Sequence, residues 1–106
     1  MSEEVMEKLE EIAMMIIANS GAARSGYFGA LAEAKKGNFE TAVEMIQVAE
    51  ENLQVAHESH RELLKMDAMG EVQMGSILLM HAQDHLMSSA LAGDLIKEMI
   101  DLYKNK

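Results

Sequence analysis

The fold of this chain is decided by residues 72–93, which read VQMGSILLMHAQDHLMSSALAG. Asp84 is the only Asp, Glu, Lys or Arg in this stretch. Large apolar side chains recur on every side of the predicted helix, a pattern typical of helices buried in protein or in a membrane. A membrane span needs about 20 predominantly apolar residues, and polar side chains interrupt this run too often. We therefore predict a third helix, over residues 71 to about 104, that is covered by protein.

Two amphipathic helices are predicted before it. Apolar residues spaced three and four apart predict one helix over residues 3 to about 35 and another between Asn38 and Met69. The breaks fall at Lys36-Gly37-Asn38 and at Met69-Gly70, and Asn38 is placed to cap the second helix. The glycines of the first helix either bend it or let another helix approach closely, and we expect a continuous or gently bent helix. They are Gly21, Gly26 and Gly29.

The chain has 106 residues, which suits a single domain over residues 1–106 with one modest core. Two helices cannot cover a third on all sides, so the remaining cover must come from other copies of the chain. The sequence therefore predicts an all-α, antiparallel three-helix bundle that associates through its third helix.

The composition excludes several classes of function. A formal net charge of −9 opposes nucleic-acid binding, because phosphate backbones attract the opposite sign. The absence of Cys excludes disulfides, thiolate metal sites and a Cys nucleophile in this chain. No basic and apolar leader follows Met1, so a soluble intracellular protein is expected. There is no Gly-rich phosphate loop and no Walker-type Lys, so no nucleotide is expected by those routes.

The candidate chemistry lies in His81-Ala82-Gln83-Asp84-His85. On a helix His81, Asp84 and His85 share a face, and burying three ionisable groups together is costly unless they are paired or coordinated. Three interpretations remain open from the residues alone: a metal site, a nucleophilic His that carries phosphate received from another protein, and a Met-rich oligomerisation helix. The metalloprotease motif is absent, since Arg61 stands where its second His belongs. The Glu-x-x-His motif of di-iron bundles is absent as well, because no His of this chain has a Glu three residues before it.

The segment from His81 to Met87 resembles the active-site signature of enzyme IIA of the lactose/N,N′-diacetylchitobiose class of the sugar phosphotransferase system. Residues 21–25, 34–39, 56–57 and 100–103 agree with the same family. The resemblance implies a homotrimer, a nine-helix assembly with the third helices near its axis. It also implies that the phosphocarrier protein HPr phosphorylates His81 and that the group passes to a Cys of the IIB component. IIB in turn links the chain to a membrane IIC permease.

The resemblance further implies that Asp84 meets its two copies on the trimer axis and shares a divalent cation, expected to be Mg²⁺. Gln83 and His85 are expected to shape the pocket of His81, and Ile77 and Met80 to form an apolar rim around it. The protein is expected in the cytoplasm, without a nucleotide cofactor. The sequence departs from the family at His60 and Arg61, which stand where a Gln-Thr pair is usual.

Overall fold

The structure is a computed structural model that describes residues 2–72 and 76–106. Within them the chain forms three α-helices and no strand: α1 (Glu3–Lys35), α2 (Phe39–Ala68) and α3 (Ile77–Lys104). The helices run up, down and up in a rod of 55 × 18 × 16 Å. The predicted all-α three-helix bundle is therefore confirmed.

Helix α1 lies at the centre of the bundle and packs along both other helices, while α2 and α3 touch each other only sparsely. Its 33 residues are continuous through Gly21, so the helix is not broken there. The other two glycines of α1 let α2 approach closely. A Cβ built on Gly26 would lie 3.0 Å from the Cβ of Ala49. One built on Gly29 would meet the methyl group of Met45. Close approach is therefore the reason for these two glycines.

The helix ends differ from the prediction at two places. Asn38 occupies the N-cap position of α2, but its side chain makes no capping hydrogen bond. Its Nδ2 instead donates to Glu33 Oε2 at 2.8 Å, which ties the turn back to α1. Helix α3 begins at Ile77 rather than near residue 71, because Ser76 caps it by accepting the backbone N–H of Leu79 at 3.3 Å. Part of the predicted extra turn, residues 73–75, lies outside the described residues.

The buried core follows the apolar positions of the sequence pattern. One cluster fills the end of the bundle that carries the start of α3, and a second, around Tyr27, fills the middle. Val43 is an exception, since it belongs to the apolar spacing of α2 but its side chain is exposed. The first cluster holds the start of α3 against α1 and α2; its members include Leu9, Ile12, Ile16, Leu63, Leu79, Ala82 and Leu86.

Candidate functional site on helix α3

His81 lies one turn into α3 and is exposed. The Ser76 cap sets where the helix begins, and the buried side chains of Leu79, Ala82 and Leu86 fix its rotation against the core. His81 is thereby directed away from that core. His81 therefore lies on a helix that is packed against the core, and its side chain is accessible to a partner protein.

His85 is the side chain that the structure brings to His81. Their Nε2 atoms are 3.1 Å apart, and the rings meet edge to face with centroids 4.5 Å apart and an interplanar angle of 77°. One Nε2 must donate and the other accept, because a hydrogen bond between them needs a single proton. When His85 donates, the Nε2 lone pair of His81 is occupied by the hydrogen bond; when His81 donates from Nε2, its Nδ1 keeps a free lone pair. In the second arrangement the free Nδ1 lone pair of His81 can act as a nucleophile.

Gln83 turns to the other side of the helix. Its Oε1 lies 3.2 Å from Nε2 of His60 on α2, and both residues are half-buried. Successive helical residues are about 100° apart, so residues 81 and 83 project in directions that differ by about 200°. Within one chain, therefore, His85 borders His81 and Gln83 borders His60.

Asp84 lies on the exposed face of α3, where Ser88 Oγ donates to its Oδ1 at 3.3 Å. The expectation that His81, Asp84 and His85 are desolvated together does not hold for a single chain, because only His85 is half-buried. Across residues 2–72 and 76–106, no group of three His, Cys, Asp or Glu side chains is placed to hold a metal ion. One chain alone does not bring these three side chains together as a set of metal ligands.

Apolar side chains flank Asp84 along the length of α3. Met80 and Met87 are 61% and 53% exposed, and Leu91 is 61% exposed. The spacing of three and four matches the seam of a coiled coil, with Asp84 as its polar member. This face lies opposite the one that packs on α1. We call it the α3 seam; it comprises Ile77, Met80, Asp84, Met87, Leu91, Leu95 and Leu102.

Sequence reasoning located His81, Gln83, Asp84 and His85, but not their arrangement. Helical spacing alone correctly paired His81 with His85. It did not indicate the contact of Gln83 with His60, because that hydrogen bond joins helices and depends on how α2 lies against α3. The departure of His60 from the family pattern was the one signal in the sequence that pointed to this position.

These features define a class: an all-helical protein with an exposed histidine, paired with a second one, on a core-packed helix that also carries an exposed apolar seam. None of the helices among the described residues is both long enough and apolar enough to cross a membrane.

Comparison with known proteins narrows the class. Residues 11–104 match the family described as PTS system, Lactose/Cellobiose specific IIA subunit. The chain is 46% identical over 99 residues to the N,N′-diacetylchitobiose-specific EIIA component of Escherichia coli K12, covering 92% of this chain and 84% of that protein. It superimposes on the cellobiose-specific enzyme IIA of Bacillus anthracis with a TM-score of 0.87 and 41% identity, covering 99% of this chain and 93% of the other.

A solution structure of a IIA(chitobiose)–HPr complex is also similar, with a TM-score of 0.80 and 41% identity over 92% of this chain and 94% of that one. The chain belongs to the lactose/cellobiose-specific IIA family of the phosphotransferase system. It is thus a phosphotransferase component of the cellobiose, chitobiose and lactose type.

Proposed function

We propose that this chain is a phosphocarrier that accepts a phosphoryl group from HPr on His81 and passes it to a Cys of a IIB component. The route serves the uptake and phosphorylation of a β-linked disaccharide by a membrane IIC permease, which the chain reaches through IIB. The observation that carries the proposal is the exposed His81 ring, whose Nε2 lies 3.1 Å from the Nε2 of His85. A neutral His81 ring that donates its Nε2 proton to His85 keeps a free lone pair on Nδ1 for attack on phosphorus.

The protein itself contributes little covalent chemistry to the transfer. The lone pair of His81 attacks phosphorus in line, the bond from phosphorus to the donor breaks, and the donor atom leaves with that electron pair. Positioning and electrostatic stabilisation then account for most of the rate. Ile77 and Met80 are 84% and 61% exposed in a single chain, and the part of them that the assembled protein leaves uncovered beside His81 supplies an apolar rim for a docked partner. Exclusion of water there protects the phosphoryl group from hydrolysis.

HPr is proposed as the donor because a similar IIA protein has been solved in complex with HPr. The net charge of −9 favours a partner with a basic face. Such complementarity mainly raises the rate of encounter, and it weakens with salt. We infer that residues 1–106 act as one domain in the cytoplasm.

In a homotrimer, the other two copies of the chain would cover the exposed α3 seam. In a nine-helix assembly three parallel copies of α3 meet along the axis, and the seam side chains leave water. Three Asp84 carboxylates would then lie together and repel one another. A divalent cation, for which we propose Mg²⁺, would remove the repulsion, since hard cations prefer carboxylate oxygens. The outward-facing carboxylate of Asp84 fits such a shared site.

The direct test is a phosphotransfer assay with phosphoenolpyruvate, enzyme I and HPr. The wild-type chain should gain an acid-labile phosphate, and His81→Gln should gain none while keeping its helix content and assembly. His57→Gln, which alters a half-buried histidine on α2, is the matched control and should be labelled like the wild type. Persistent labelling of His81→Gln would refute the assignment.

The exposed seam also favours a second candidate, a non-enzymatic oligomerisation module. That function predicts assembly without phosphate uptake, so the same assay separates the two.

A further inference from the structure

A side-chain hydrogen bond joins α2 to α3 close to the proposed phosphoryl site. His60 Nε2 and Gln83 Oε1 are 3.2 Å apart. Within residues 2–72 and 76–106, it is the only hydrogen bond between side chains of two different helices, apart from ion pairs. It lies where α2 and α3 have few other contacts. The bond therefore orients the His60 and Gln83 side chains relative to each other.

The chemistry of the two groups determines which atom donates. A carboxamide oxygen only accepts, so Nε2 of His60 carries the proton. The oxygen and nitrogen of the carboxamide project in different directions from one carbon, and holding the oxygen at His60 turns the NH₂ group of Gln83 away from α2. Both residues are half-buried, which limits competition from water.

The position of Gln83 on α3 shows where that NH₂ group can act. Residues 81 and 83 flank the α3 seam on its two sides, since their directions differ by about 200° and Asp84 lies between them. Three parallel helices that meet through this seam place the Gln83 side of one copy against the His81 side of the next. This step rests on the proposed trimeric phosphocarrier.

We propose that His60 is a positioning residue for phosphoryl transfer: it holds the Gln83 oxygen so that the Gln83 NH₂ group donates to the phosphoryl oxygens on His81 of the adjacent copy. A donor fixed in advance stabilises developing negative charge without having to reorganise during the reaction. His60 touches neither the phosphoryl group nor His81, and it acts through Gln83 alone. The chemistry of the step is unchanged, because no further bond forms or breaks.

The test measures the rate of transfer from phosphorylated HPr as a function of HPr concentration in the full-length protein. His60→Leu should lower the maximal rate about tenfold, a fraction of the loss seen when a whole oxyanion donor is deleted. The half-saturating HPr concentration should stay unchanged, because the docking surface is untouched. His60→Gln should retain the wild-type rate, since its own NH₂ group can donate to the Gln83 oxygen.

A double-mutant cycle separates positioning from a general loss of structure. Gln83→Leu alone and the double variant His60→Leu/Gln83→Leu should be equally slow, because Gln83→Leu already removes the group through which His60 acts. The proposal is overturned if His60→Leu transfers at the wild-type rate, if His60→Gln is as slow as His60→Leu, or if the two Leu substitutions add. A wild-type chain that takes up no phosphoryl group would overturn the proposed function as well.

Discussion

Tyr27 is the largest side chain that the fold buries completely. Its ring lies against Gly93 of α3, so that a Cβ added at Gly93 would come within 2.5 Å of the ring. Burial raises the pKa of Tyr27 above its ordinary value of 10.0, and the charges of Glu50 and Asp94 raise it further. A single residue thus couples packing between helices to a titration at high pH.

The raised pKa of Tyr27 makes stability depend on alkaline pH. The folded protein keeps the phenol proton at pH values where the unfolded chain has lost it. The free energy of unfolding should hold up to about pH 10, the ordinary tyrosine pKa, and fall as pH rises above it. Urea unfolding between pH 9 and 11 tests this expectation. Tyr27→Phe should show a smaller decline over that interval, and an identical decline would contradict the assignment.

At the scale of the helices, α1 and α3 depend on close contact. Gly93→Ala should destabilise the bundle by about 1–3 kcal/mol, because the new methyl group must displace a buried ring. Gly21→Ala is the matched control, since, apart from its chain neighbours and the nearby backbone of α1 itself, no atom of the described residues lies within 4 Å of its added Cβ. It should be neutral or stabilising by up to about 1 kcal/mol, because Ala favours a helix more than Gly. Denaturant unfolding followed by circular dichroism compares the two; equal effects would show that Tyr27 does not limit this contact.

At the scale of the whole molecule, the α3 seam should decide the oligomeric state. Leu91→Glu places a charge on the seam and should convert the proposed trimer to monomers, because three carboxylates would be buried without partners. Val48→Glu introduces the same charge on α2, at a side chain that is 57% exposed against 61% for Leu91. Val48→Glu should leave the proposed trimer intact. Sedimentation velocity distinguishes these results, and a trimeric Leu91→Glu would exclude the seam as the interface.

The proposed cation site also depends on the assembled molecule, since a single chain does not form it. Asp84→Leu should remove the metal and leave a trimer at least as stable, because apolar packing replaces a cluster of like charges. Metal analysis of the wild-type protein should find one ion per three chains, whereas a zinc site at His81 and His85 would hold one ion per chain. Unchanged metal content and sedimentation in Asp84→Leu would rule out the axial site.

The sequence by itself determined the number and order of the helices and the family, and it supplied the residues of the proposed site. Periodic apolar residues, glycine breaks and the stretch from His81 to His85 are local features, and local spacing defines both a helix and the neighbours along its face. The tertiary structure decided what depends on contacts between helices: the start of α3 at the Ser76 cap, the ring of Tyr27 on Gly93 and the bond from His60 to Gln83. Such contacts follow from how the helices rotate and approach one another, which no spacing within a single helix specifies.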